Sequence, residues 1–154
     1  MDHINADLRF TGTRMSISAN SAKLYNADLS RVSAVIPDLF APEEILNVSG
    51  EASGNLADFI HFTNTSPIAS KIDNLTIGAT ATGSAKLGLN LKLPLRHLDL
   101  STLAGILAFN DNTITPVKPL PQLNRVRGKL SFTGTGISAK NISLQLLGGP
   151  ASLS

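Results

Sequence analysis

The chain has 154 residues, of which 42% are hydrophobic and 16% charged, with a formal net charge of +2. This length and composition suit one domain, or one piece of a longer array, and exclude a disordered tail or a strongly basic nucleic-acid-binding protein. The chain has no cysteine, no tryptophan and one tyrosine. Disulfide scaffolds, thiol nucleophiles and cysteine-ligated metal sites are therefore excluded, and few rings are available for stacking on bases.

Alternation of apolar and polar residues predicts strands along most of the chain. In the clearest segment, Ala85 to Leu95, every second residue from Leu87 onward is leucine, which gives a strand one leucine face and one hydrated face. Further strands are predicted at 4–10, 48–54, 75–81, 103–109, 113–117, 126–132 and 142–146. About nine or ten strands in succession imply an antiparallel meander, because parallel pairing needs long crossover connections.

One helix and several turns interrupt the strands. Asn55 can cap a helix of about two to three turns in which Leu56, Phe59 and Ile60 share a face, ending before Ser66-Pro67. Turns are predicted at Thr11-Gly12, Thr82-Gly83, Asn110 to Asn112 and Thr133-Gly134, and three prolines predict an ordered loop before Asn124.

The sequence around Phe10 recurs around Phe132. Leu8-Arg-Phe-Thr-Gly-Thr13 precedes an alternating segment, as does Leu130-Ser-Phe-Thr-Gly-Thr135. The repeat predicts the same hairpin at the ends of two successive units. We therefore expect residues 1–36 to end one repeat module and residues 37–154 to form a second module that closes with the repeated hairpin.

No motif points to an enzyme, a cofactor or a metal. The glycines of Gly134-Thr-Gly136 precede a strand-like segment, whereas a dinucleotide site needs a helix there. His3, His61 and His97 lie far apart, and Glu43-Glu44 are adjacent in a predicted loop rather than facing across a cleft. We therefore expect no catalytic residues, no cofactor and no metal site.

The leucine face allows two interpretations. It can pack against a second sheet as the core of a closed sandwich, or the sheet can curl into an open groove lined for an acyl chain. Aromatic residues, which usually dominate a sandwich core, are scarce in this chain, whereas Leu, Ile and Ala are abundant.

A series of short segments, in order along the chain, resembles the YhdP branch of the AsmA-like bacterial envelope proteins. The segments are Val48-Ser-Gly-Glu-Ala-Ser-Gly54, Leu56-Ala-Asp-Phe-Ile60, Ser66-Pro67-Ile68, Leu91-Lys-Leu-Pro-Leu95, Pro119-Leu-Pro-Gln-Leu123, Val126-Arg-Gly128 and Leu147-Gly-Gly-Pro150. The resemblance implies a curved antiparallel β-sheet with an open groove and one short helix. It also implies phospholipid transport across the periplasm, by a protein anchored in the inner membrane.

On this resemblance the chain is expected to be an excised periplasmic segment, since it shows neither a signal peptide nor the ~20 apolar residues of a membrane helix. Its expected partners are phospholipid acyl chains, adjacent modules of the same chain and, through the full-length protein, the inner and outer membranes; nucleic acid is not expected. The predicted groove lining is Leu87, Leu89, Leu91, Leu93, Ile77, Leu130 and Phe132. Lys86, Lys92 and Arg96 are expected to face water and to meet anionic head groups. A structural or adhesive all-β spacer is the alternative function.

Overall fold

The computed structural model describes residues 5–24, 26–65, 76–146 and 149–153 of the chain. Its strands are β1 (Asn5–Thr11), β2 (Arg14–Leu24), β3 (Ala27–Ile36), β4 (Ile45–Asn55), β5 (Thr80–Thr82), β6 (Ser84–Pro94), β7 (Thr102–Thr115), β8 (Leu123–Thr133), β9 (Gly136–Leu146) and β10 (Gly149–Leu153). Helix α1 (Leu56–Thr65) follows β4 directly, and a single 3-10 turn (Leu98–Leu100) precedes β7.

All ten strands belong to one open, curved antiparallel sheet. Its order is β1-β2-β3-β4-β6-β7-β8-β9-β10, so the chain adds strands one beside the next, and β5 pairs with the end of β7. The predicted meander is confirmed. The closed sandwich is wrong, because the described strands form no second sheet against which the leucines could pack. The sheet also continues across the predicted module boundary after residue 36, since β3 pairs with β4; the boundary itself stays a prediction.

Helix α1 lies on one face of the sheet, which we call the apolar face. Leu56 and Phe59 are buried, and they pack with Ala27, Ala81 and Ala85 as the core beneath the helix. A second core lies further along the same sheet, where Val126 of β8 packs with Ile142 and Leu144 of the neighbouring strand β9. The predicted helix is thus confirmed, and its short length of about 15 Å covers only part of the sheet.

Among the described residues, four that are not glycine have a positive φ, and each lies where the apolar alternation shifts by one residue. They are Arg31, Asp111, Arg125 and Asn141, with φ between 50 and 61°. In β3, for example, Leu29 and Val32 share the apolar face although they are three residues apart, and the register with β4 shifts between Ser30 and Ser33. Such a bulge adds one residue to a strand and bends it. The bulges therefore keep apolar residues on one face while the sheet curves.

Two sequence predictions are wrong in detail. The expected turn at Asn110 to Asn112 is part of the 14-residue strand β7, which continues through a bulge at Asp111. The buried Asn112 side chain stabilises this path, because its Oδ1 accepts a hydrogen bond from Asn110 N at 2.7 Å. Of the expected strand at 75–81, residue 75 lies outside the described residues and only the end belongs to β5, since residues 76–78 form a turn with Gly78 at a φ of 76°.

Candidate apolar lipid-binding face

Cross-strand pairing arranges the apolar side chains in rows across the sheet. Directly opposed residues of adjacent strands lie on the same face, so the register shows which side chains are neighbours. The first row crosses six strands and consists of Leu29, Ala52, Leu87, Leu107, Leu130 and Ala139. Six strands about 4.8 Å apart give this row a length of about 24 Å.

Two further rows run parallel to the first one. The second row consists of Gly50, Leu89, Gly105, Phe132 and Ile137. The third row consists of Leu8, Ile17, Ala34, Val48, Leu91 and Leu103. None of these residues is charged, and several large ones remain exposed to solvent, with exposed fractions of 59% for Leu8 and 46% for Ile137. The apolar face is therefore a broad surface that the described residues cover only in part.

Helix α1 divides the covered part of this face into two cavities. The first cavity, of about 250 Å³, lies between α1 and strands β3, β4 and β6, and Leu29, Val32 and Ala52 are among its lining residues. The second, of about 280 Å³, lies between α1 and strands β6 to β9, and its lining includes Leu107, Leu130 and Ile137. The two cavities share four lining residues: Phe59 and Phe62 of the helix, and Leu87 and Leu89 of β6.

The two flanks of the helix carry different side chains, and each flank borders one cavity. At about 100° per residue, Asp58 and Phe62 point to one flank, and Leu56 and Ile60 point to the other. Accordingly, Asp58 borders only the first cavity and Ile60 only the second. The N-terminus of α1 is fixed to the sheet by a hydrogen bond from Leu56 N to Gly83 O at 2.9 Å.

Most of the predicted lining residues lie on the apolar face. Leu87 and Leu89 border both cavities, and Leu130 and Phe132 border the second. Leu91 belongs to the third row, and Leu93 pairs with Leu46 of β4 further along the same strands. Ile77 differs, because it lies in the turn before β5 with 52% of its surface exposed and borders neither cavity. Whether these residues contact a lipid stays a prediction.

The helix side of the cavities was not predicted from the sequence. Phe62 lines both cavities together with Phe59, and their three-residue spacing places them on adjacent turns of one helix face. That spacing was a usable signal. Leu29, Val32 and Ala52 could not be assigned to the lining, because their place depends on the bulge at Arg31 and on the register of β3 with β4.

Most side chains on the opposite face and at the strand ends are polar or charged, although Ile106 of β7 is half-exposed there. Lys86 and Lys92 are exposed there, as expected. Arg96 is also exposed, but its guanidinium is paired with Glu44 through bonds of 2.9 and 3.2 Å. The hydrogen bond from Arg96 lowers the pKa of the Glu44 carboxyl, and the pKa of Arg96 is raised in turn. The Arg96 guanidinium is therefore already paired, and Lys86 and Lys92 point away from the apolar face.

The described residues contain no group of three or more histidine and acidic side chains placed to hold a metal ion. Within the same ranges, no helix has the length and apolar character needed to cross a membrane.

Comparison with known proteins assigns the chain to a family. The family model described as YhdP protein matches residues 1–154, the whole chain. The chain has no significant match among curated proteins or among solved structures. Because the family model covers every residue, including the rows of the apolar face and helix α1, the chain belongs to the YhdP family.

Proposed function

We propose that this chain is a non-enzymatic module of a bridge-like lipid-transport protein. In this proposal, its apolar face shields the acyl chains of phospholipids that cross the periplasm between the inner and outer membranes. The YhdP family consists of bacterial envelope proteins implicated in lipid transport, which supports the proposal at the level of the whole protein. We place the segment in the periplasm, as part of a longer protein held in the inner membrane.

The observation that carries the proposal is the continuity of the uncharged rows across the sheet. Leu87 and Leu89 are successive residues of the apolar face on β6. Each is flanked by an uncharged residue on both neighbouring strands. An exposed apolar surface of this extent is unusual for a soluble protein and marks a binding site for an apolar partner. Two cavities lined almost wholly by apolar groups lie on it.

The mechanism is passive. Moving one methylene from water to an apolar site is favourable by about 0.8 kcal/mol of free energy. An acyl chain that stays shielded on the apolar face therefore loses little free energy when it leaves the membrane interior. A row of similar side chains offers neighbouring positions of similar free energy, which lets the chain slide. The head group stays hydrated at the open side of the apolar face, whereas Lys86 and Lys92 lie on the opposite, polar face of β6.

The proposal is tested by native mass spectrometry of the purified chain, combined with lipid extraction. We expect bound phospholipid in the wild-type protein and its loss in Leu89→Asp, because a carboxylate in the second row lies where an acyl chain would pass. Asn90→Asp is the matched control, since Asn90 is the next residue of β6, is exposed and lies on the polar face. Leu91→Asp should behave like Leu89→Asp, and both should abolish lipid transfer by the full-length protein.

Circular dichroism distinguishes loss of binding from loss of fold. Leu89 and Leu91 are only partly buried, so we expect both variants to remain folded. A wild-type chain that stays free of lipid after incubation with phospholipid vesicles would contradict the proposal and favour a structural spacer. Unfolding of both aspartate variants would instead assign these leucines to a closed core.

A further inference from the structure

Helix α1 has a cavity on each of its two flanks, and shielding of a single acyl chain does not require two cavities. The two cavities on its flanks have similar volumes, about 250 and 280 Å³, and they share a wall formed by Phe59, Phe62, Leu87 and Leu89. A single cavity would hold a single alkyl chain. Two cavities on either side of one helix match a molecule with two alkyl chains joined at one end.

One polar atom distinguishes the first cavity. Asp58 borders it, and the Oδ2 atom of Asp58 is buried without a hydrogen-bond partner in the described part of the chain. Glu51 borders the same cavity, but its carboxylate is paired with Arg31. Buried carboxylate oxygens in proteins are nearly always hydrogen bonded, and an unpaired one is costly. Asp58 therefore favours an occupant that brings a positively charged hydrogen-bond donor.

We propose that the two cavities hold the two alkyl chains of one lipid, one chain on each flank of α1, and that Asp58 selects a lipid whose head group carries an ammonium. This inference rests on the proposed function and narrows it to a substrate class. An ammonium complements the carboxylate in charge and donates the missing hydrogen bond. The anionic head group of a lipid without an amine would meet the Asp58 carboxylate with like charge.

The number of alkyl chains is tested by native mass spectrometry with monopalmitoylglycerol, a neutral single-chain lipid. We expect two molecules per wild-type chain. Leu29→Trp fills the first cavity and Leu130→Trp the second, since each leucine borders one cavity only; each variant should bind one molecule. Leu8→Trp is the matched control, because Leu8 is 59% exposed and borders neither cavity. Val48→Phe replaces Leu29→Trp as a block of the first cavity if that variant does not fold.

Head-group selection is tested with vesicles of phosphatidylethanolamine and of phosphatidylglycerol that have identical acyl chains. We expect one diacyl lipid per wild-type chain and a preference of about tenfold for phosphatidylethanolamine, typical of one charge-assisted hydrogen bond. Asp58→Asn should bind both lipids equally. Each tryptophan variant should weaken phosphatidylethanolamine binding by about a hundredfold, because the indole displaces about three methylenes of one alkyl chain into water.

Three results would overturn the inference while leaving the proposed function intact. They are binding of a single monopalmitoylglycerol by the wild type, retention of two in either tryptophan variant, and an unchanged head-group preference in Asp58→Asn. Failure of the wild-type chain to bind any of the three lipids would overturn the proposed function, and this inference with it.

Discussion

The hairpins β1–β2 and β8–β9 have the same turn sequence and very different surroundings. Both contain Phe-Thr-Gly-Thr and a two-residue turn, and in both the phenylalanine faces a large apolar residue across the hairpin. Phe10, on the outermost strand of the described sheet, is 61% exposed. Phe132 is half-buried, because β7 pairs with its other edge and the second cavity lies above it. The same local sequence therefore forms the same hairpin, whereas burial depends on the neighbouring strand and helix.

This comparison predicts which substitutions destabilise the fold. Those in the part of the sheet next to α1 and β7 should be costly, and those in the β1–β2 hairpin or on the polar face should be tolerated.

The largest effect is expected for Asn112→Ala. Asn112 is fully buried, and its Nδ2 donates to Thr82 O and Ser84 O at 3.0 Å each, which joins β7 to the break between β5 and β6. Removing the amide leaves these carbonyls and Asn110 N without their partner, so the free energy of unfolding should fall by about 3 kcal/mol. Urea denaturation measures this loss in the free energy of unfolding. Asn20→Ala, at an exposed position of β2, is the control and should change stability by less than about 0.5 kcal/mol. Equal effects would contradict the comparison.

Substitutions of the two repeated phenylalanines, Phe10 and Phe132, test the comparison of the hairpins directly. Phe132→Ala should lower the free energy of unfolding by about 2 kcal/mol, less than for a fully buried ring because part of Phe132 is in contact with solvent. Phe10→Ala should cost less than about 0.5 kcal/mol. Thermal unfolding of the two variants gives the difference. A Phe10→Ala variant as unstable as Phe132→Ala would show that the edge hairpin contributes to the core.

A smaller effect is expected where Phe132 lies over a glycine. A Cβ added to Gly105 would overlap the Phe132 ring and lie 2.9 Å from Gly88 O. Gly105→Ala should therefore cost about 1 kcal/mol, since the ring can move but the backbone oxygen cannot. Gly88→Ala is the control on the neighbouring strand, because nothing lies within 4 Å of its added Cβ; it should raise stability by about 0.5 kcal/mol. A stabilising Gly105→Ala would show that the ring does not pack there.

The sequence predicts the strands well wherever the alternation is uninterrupted. From Ala85 to Leu95 the leucines all have odd residue numbers, so the alternation keeps one parity, and β6 has no bulge. In β7 the parity changes after Phe109, and the polar residues there were interpreted as a turn. The structure instead places a bulge at Asp111, whose cost is offset by the buried Asn112. A change of parity without glycine or proline is thus a usable signal for a bulge.

The candidate site is less predictable than the fold. The leucines of β6 were identified by their spacing alone, but the cavities also need Leu29, Val32 and Phe62, which come from two other elements. Their convergence depends on strand register and on the side of the sheet to which α1 folds. Neither is encoded in the local pattern, because both result from packing between residues distant in sequence.

The central claim is that alternate residues of β6 face lipid, and photo-crosslinking tests it most directly. p-Benzoylphenylalanine is placed in turn at Leu89, Asn90, Leu91 and Lys92 in the full-length protein, and crosslinks to phospholipid are measured in cells. We predict crosslinks from positions 89 and 91 and none from 90 and 92, because successive side chains of a strand point to opposite faces. Equal crosslinking at all four positions, or none at 89 and 91, would contradict the account.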